Sequence, residues 1–178
     1  MKVIIKGKKV YLRELKADDF AEFTNLTNSS RNFHHGWVSP PLDNENFDKY
    51  FETSLQEANR YLLICQVEDN AIVGVVNLSQ IFYKSFQNAY LGYWMGEKFA
   101  GKGFMIEAVQ LVLQYAFKTL KLHRIEANVQ PKNIVSINIL KRAGFTKEGF
   151  SRRYLKIDKR WRDHERWAII VEDWSKRK

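Results

Sequence analysis

An α+β fold is what three stretches of this chain predict, with a mostly antiparallel sheet, one parallel strand pair and about four helices in a single domain over residues 1–178. In the first stretch, 91–129, Leu91, Tyr93 and Met95 alternate with Gly92, Trp94 and Gly96, the period of a strand with one face on a core. After a glycine-rich turn, Met105, Val109, Val112, Leu113, Ala116 and Phe117 follow helical spacing, and the branched residues of 124–129 return as a strand. Strand, helix and strand at this length predict a parallel pair with a right-handed crossover. In the second, 61–67 and 72–81 flank a short polar turn, as do 145–157 and 161–171, and each couple reads as an antiparallel hairpin. The third is a helix-rich segment, 19–55, between the first two strand regions.

Taken in order, 3–15 reads as a strand with a turn at Gly7, after which Asp18 or Asp19 caps a helix carrying Phe20, Phe23 and Leu26 and ending near Ser29 and Ser30. Residues 31–42 read as a loop, from Pro40-Pro41 and the absence of a period. His34 and His35 have no cysteine or acidic partner at ligand spacing, so a metal is not predicted and they read as solvent-facing or substrate-loop histidines. Asp43 starts a second helix with Phe47, Phe51 and Leu55 on one stripe. Glu68-Asp69-Asn70 turns the first hairpin, and 91–96 adds the next strand. A helix over 102–120 follows, then the strand 124–129, which Pro131 stops. Asn133 caps a helix that buries Ile134, Ile137, Leu140 and Ala143 and ends at Gly144, a glycine in the position that closes helices. Asp158-Lys159-Arg160 turns the closing hairpin.

The glycine turn is the first candidate site. Gly101-Lys102-Gly103 opens a helix, and a helix N-terminus free of side chains presents unpaired N–H groups and a positive dipole end to an anion such as phosphate. Neither nucleotide fingerprint is complete. A dinucleotide motif needs glycine where Ile106 stands, and a Walker motif, matched by Gly96, Gly101 and Lys102, needs a hydroxyl where Gly103 stands. A turn that merely joins strand to helix is the other reading.

The segment from Asn133 through Ser136, Asn138 and Lys141 to Gly144-Phe145, together with Lys98-x-x-Gly101-x-Gly103, resembles the GCN5-related N-acetyltransferases, above all the branch acting on ribosomal-protein N-termini. The resemblance runs from Lys9 to Trp174, and it departs from the family at Lys98, where Gln or Arg is usual. It implies that the parallel pair is splayed, with the site in the crevice at the carboxyl ends of its strands. It also implies acetyl-coenzyme A as co-substrate, without a metal. The pyrophosphate would then rest on the amides of Gly101, Gly103, Phe104 and Met105, the pantetheine would run beside Met95 and Gly96, and an amide near Met95 would serve the oxyanion. Lys102, Lys141 and Arg142 are candidate point charges for coenzyme phosphates, with solvated surface lysine as the alternative, and Lys98, at the first position of the turn, is a further candidate coenzyme-binding residue.

Asn133 reads both as a helix cap and, by resemblance, as the residue that orients the pantetheine, with Asn138 further along the same helix. Many relatives place a tyrosine acid where this chain has Leu140. In the ribosomal branch a serine takes that role, and Ser136 occupies its position, with a helix-surface serine as the alternative. The glutamate base of that branch aligns with Leu155, which leaves Glu107, Asp163 or a water chain.

Composition limits the remaining classes. A net charge of +9 favours a polyanionic ligand or partner, though a generally basic surface explains it too. The lone Cys65 lies in an apolar run, which suits core packing and a reducing compartment, and no apolar run reaches membrane-spanning length, so the cytoplasm is expected. By the resemblance, and because no carboxylate base is evident, the acceptor is read as a protein N-terminal α-amine, with a small amine such as a polyamine or aminoglycoside as the alternative. Ribosome association and a homodimer stay open. A nucleic-acid-binding module is the reading from another class, because Arg152, Arg153 and Tyr154 with Lys159, Arg160, Trp161 and Arg162 resemble a phosphate-and-stacking surface.

Overall fold

The computed structural model describes residues 2–177. Its strands are β1 (Val3–Lys6), β2 (Val10–Glu14), β3 (Arg60–Gln66), β4 (Ile72–Phe82), β5 (Asn88–Met95), β6 (Arg124–Val129), β7 (Thr146–Ile157) and β8 (Arg160–Ile170). They form one sheet in the order β1-β2-β3-β4-β5-β6-β8-β7. Every neighbouring pair is antiparallel except β5 with β6. The helices are α1 (Phe20–Ser29), α2 (Arg31–His34), α3 (Asn44–Ser54), α4 (Phe104–Lys118), α5 (Ile134–Ala143) and α6 (Val171–Ser175). The two beyond the expected four, α2 and α6, are single short turns of four and five residues.

Alternation along β5 assigns the two faces of the sheet, because successive strand residues point to opposite sides. Trp94 meets Phe23 of α1 edge to face at 5.3 Å, while Tyr93 reaches Ser136 of α5. Helices α1 and α3 therefore cover one face, and α4 and α5 the other. Met105, Ala108, Val109, Val112, Leu113, Ala116 and Phe117 form the buried stripe of α4, which lies across β1, β2 and β4.

The parallel pair is short. Only Asn88–Tyr90 and Arg124–Glu126 are in register, after which β5 follows β4 as far as Met95 and β6 follows β8 as far as Val129. The two strands thus part company and open a wedge. Gly96 donates to Val73 O at 2.9 Å, and antiparallel ladder bonds alternate, so Met95 turns its own N–H and C=O away from β4 and into that wedge.

Several local expectations are corrected. Asp19 does not cap α1 through its side chain: its carboxylate accepts the Lys16 N–H and pairs with Arg13, at 2.7 Å from each of two guanidinium nitrogens. The stretch 31–42 is not all loop, since its first four residues form α2. Leu55 lies beyond α3 and is exposed, and Ile134 faces outward from α5 instead of into the core. Asp43 does cap α3, accepting from Asn46 N at 2.9 Å, and Gly144 closes α5 at φ +99°.

Candidate active site

The wedge widens into a cleft of ≈ 340 Å³ between the end of β5, the turn before α4, the start of α5 and the segment around α2. Of the residues singled out from sequence, Met95, Gly101, Met105, Asn133 and Ser136 line it together. Gly96, Lys98, Lys102, Gly103, Phe104, Asn138 and Lys141 do not line it. Gly96 has a packing reason of its own, because a Cβ there would lie 2.2 Å from Leu26 Cδ1.

Gly101 and Gly103 hold φ of +76° and +82°, the left-handed region where glycine is favoured. A Cβ on Gly101 would meet nothing within 4 Å, so the glycine serves backbone shape and leaves the turn open. Gly103 sits at the N-cap of α4 without any capping side chain, so the amides that follow project outward with their hydrogen-bonding capacity available to an anion. Positive charge gathers round them. The Lys98 and Lys102 ammonium groups sit over the Phe99 ring at 4.8 and 5.6 Å, and Lys9, which the sequence did not single out for this place, donates to Lys102 O at 3.0 Å. A diphosphate group fits such a cradle.

Two features of the cleft lie outside what sequence reading reached. His34 is buried, against the solvent-facing reading, but it lines the cleft, as the substrate-loop alternative has it, and its Nε2 lies 2.9 Å from Met95 O. Its Nδ1 is buried with no hydrogen-bond partner among the described residues, and burial lowers its pKa, so the ring is neutral and gives its one N–H to Met95. His35 points the other way, exposed, with Nδ1 3.5 Å from Asp158. The second feature is Tyr93, whose Oη lies 2.6 Å from Ser136 Oγ. Ser136 is therefore a buried serine, 9% exposed, rather than a surface one. Its backbone N–H also binds Asn133 Oδ1 at 3.1 Å, which makes Asn133 the cap of α5.

Adjoining this cleft, and sharing Trp37, Val38, Tyr93, Asn133 and Ser136 with it, is a smaller cleft of ≈ 120 Å³ bounded also by Asn128, Gln130 and His164. The Nδ1 of His164 lies 3.0 Å from the Arg162 carbonyl and donates to it, which leaves Nε2 as the lone pair, and burial lowers the pKa of this ring as well. The segment carrying Trp37 is strapped from both sides. Gln130 Nε2 donates to Gly36 O at 2.6 Å, and the Asp158 carboxylate at the tip of the β7–β8 hairpin accepts from Gly36 N at 2.8 Å and Ser39 Oγ at 3.0 Å.

The carboxylates considered as bases are occupied elsewhere. Glu107 accepts the Lys8 and Lys9 amides of the β1–β2 turn, and Asp163 accepts the Arg153 N–H at 2.7 Å. The basic residues Arg152, Arg153 and Arg160 stand exposed on the closing hairpin with Trp161.

A family model of the acetyltransferase (GNAT) domain matches residues 9–146. The probable N-acetyltransferase YjcK of Bacillus subtilis is 36% identical over 178 residues, covering 96% of this chain and 98% of that protein. The ribosomal protein uS5-alanine N-acetyltransferase of Escherichia coli is 42% identical over 115 residues, 65% of this chain and 59% of that protein. Among solved structures, RimJ of Mycobacterium smegmatis in complex with CoA-disulfide has a TM-score of 0.85 at 26% identity, covering 92% of this chain and 82% of that one. The Vibrio cholerae spermidine N-acetyltransferase in complex with CoA and spermine shares the fold, with a TM-score of 0.81 at 22% identity over 95% of this chain and 99% of that one.

Proposed function

The chain belongs to the acetyltransferase (GNAT) family, and on that premise we propose that it transfers acetyl from acetyl-coenzyme A to the N-terminal α-amine of a protein. The coenzyme diphosphate takes the amides after Gly101 and Gly103, with Lys9, Lys98 and Lys102 as neighbouring charges. Its pantetheine arm follows the wedge beside Met95, whose outward N–H is the donor nearest the developing oxyanion. The amine enters the smaller cleft and attacks where the two clefts adjoin, beside Tyr93, Asn133 and Ser136. Residues 1–178 act as one catalytic domain, and the cytoplasm, where acetyl-coenzyme A and nascent proteins meet, is the compartment that suits it.

One observation favours the α-amine: no Asp or Glu is among the residues lining either cleft. A polyamine keeps positive charge along its length, and burying that charge without carboxylates is costly. What lines the smaller cleft instead are uncharged groups, among them Asn128 and His164, whose Nε2 keeps a lone pair. Such a site suits an amine that is already neutral. With reference pKa values near 7.7–8.0 and about 10.4, roughly a tenth of an α-amine but only about 10⁻⁴ of a lysine is neutral at pH 7, a gap of roughly 3–4 kcal/mol. The similarity to a ribosomal protein uS5-alanine N-acetyltransferase supports the same acceptor class.

The test offers three acceptors: a peptide with a free N-terminus and no lysine, an N-terminally blocked peptide with one lysine, and spermidine. Acetyl located by mass spectrometry on the free N-terminus is the expected result. Preferential labelling of the lysine or of spermidine overturns the acceptor assignment. A flat calorimetric titration with acetyl-coenzyme A would instead favour the nucleic-acid-binding module, for which the exposed arginines and Trp161 are the observation.

A further inference from the structure

Resting on that reading, we infer that the hydroxyl pair of Tyr93 and Ser136 relays the surplus proton of the attacking amine from the smaller cleft to the departing sulfur in the larger one. Tyr93 on β5 supplies the second hydroxyl of the relay, and Ser136 on α5 the first.

Three observations carry the relay. The two hydroxyl oxygens are 2.6 Å apart, and either can be the donor, so the bond can reverse as a proton passes. Both residues line both clefts, which sets the pair beside the place where amine and thioester meet. The carboxylates that could have done the work by themselves, Glu107 and Asp163, are bound to backbone amides. The state of the phenol is consistent with a donor: burial pushes Tyr93 up to about 12, against the opposing effect of its bond to Ser136, so it holds its proton at neutral pH.

The transfer balances without outside reagents. The amine lone pair forms the C–N bond as the C–S bond breaks, and that bond's electron pair leaves with sulfur. Sulfur takes the Ser136 proton, Ser136 takes the Tyr93 proton, and Tyr93 regains one from the acylated nitrogen, directly or through one water. One proton has moved from nitrogen to sulfur, and both hydroxyls end as they began.

Single-turnover acetyl transfer reads the relay, using the full chain, saturating acetyl-coenzyme A and whichever acceptor the wild type labels. Tyr93→Phe and Ser136→Ala should each slow transfer by roughly 10²-fold, the low end for proton-transfer catalysis, while the acetyl-coenzyme A Kd stays within about twofold. Because the two act as one unit, the double variant should be no slower than the slower single one. In mixtures of light and heavy water the wild-type rate should fall along a curve, as more than one proton in flight requires, and Tyr93→Phe should follow a straight line. Wild-type speed in Tyr93→Phe, or losses that multiply in the double variant, overturns the relay. A straight line for the wild type overturns it too, and that reading needs no variant to fold. If the wild type labels lysine, the α-amine assignment falls while the relay is judged by these same rates.

Discussion

His34 Nε2 stands 2.9 Å from the carbonyl oxygen of Met95, so a side chain from the segment covering the cleft holds the end of the strand that borders it. The bond reaches the same edge of β5 from which the Met95 N–H enters the wedge. Removing the donor leaves a buried carbonyl unsatisfied, at a cost of about 1–3 kcal/mol. His34→Leu should lower Tm by several degrees, at about 2–4 °C per kcal/mol for a chain of this size, and slow acetyl transfer at least threefold. His34→Gln, whose amide can supply the N–H, should recover part of both. A His34→Leu protein as stable as wild type would remove the bond from the account.

The buried histidines give stability a pH dependence of definite sign. Burial lowers the pKa of both His34 and His164, so between their native values and about 6.5 the unfolded chain binds protons that the native chain does not. Their contribution is complete above that range and is lost as pH falls below about 6.5, with a slope of up to about 1.36 kcal/mol per pH unit for each ring. Urea unfolding at pH 7.5, 6.5 and 5.5 measures it. The variant carrying His34→Gln and His164→Gln should show a shallower fall, and an equal slope in variant and wild type would assign the effect elsewhere.

The left-handed glycine at the head of α4 predicts a coenzyme phenotype. At φ +82° an alanine is strained by roughly 1–2 kcal/mol, although the nearest atom to its Cβ, Lys9 Nζ at 3.5 Å, leaves room for it. Gly103→Ala should lower Tm modestly and raise the acetyl-coenzyme A Kd about tenfold, because the backbone twist that aims the amides is what the methyl group opposes. Calorimetric titration checks it. An unchanged Kd would move the diphosphate away from this turn.

Glu107 separates a structural carboxylate from a catalytic one. It accepts the Lys8 and Lys9 amides, the latter at 3.0 Å, and fills the space beside Gly7, where a Cβ would lie 2.1 Å from Oε1. Glu107→Ala should cost about 1–2 kcal/mol in urea unfolding and leave the pH profile of acetyl transfer unchanged. A lost basic limb in that profile would make Glu107 the base after all.

Elements written in contiguous residues were legible in the sequence. The alternation of 91–95, the helical spacing from Met105 to Phe117, the Asn133 cap and the Gly144 stop each depend on residues a few positions apart, and local conformational preference expresses them directly. Short helices were not legible. Four residues carry no period, so α2 read as loop, and with it went the burial of His34. Ser136 is partly exceptional: a serine near a helix start was visible, but its burial depends on Tyr93, 43 residues earlier in the chain.

By itself, then, the sequence determined the order of the strands and of the four longer helices, the open glycine turn and the family resemblance, because periodicity, caps and left-handed glycines are local properties of the chain. Only the tertiary structure decided which groups meet: His34 with Met95, Tyr93 with Ser136, Glu107 with the β1–β2 turn, and Asp158 with the segment that carries Trp37. The physical reason lies in the splay of β5 from β6 and the insertion of β8 between β6 and β7, which set distant segments side by side around one wedge. Pairings across such separations follow from sheet register and helix packing over the whole molecule, and no window of sequence contains them.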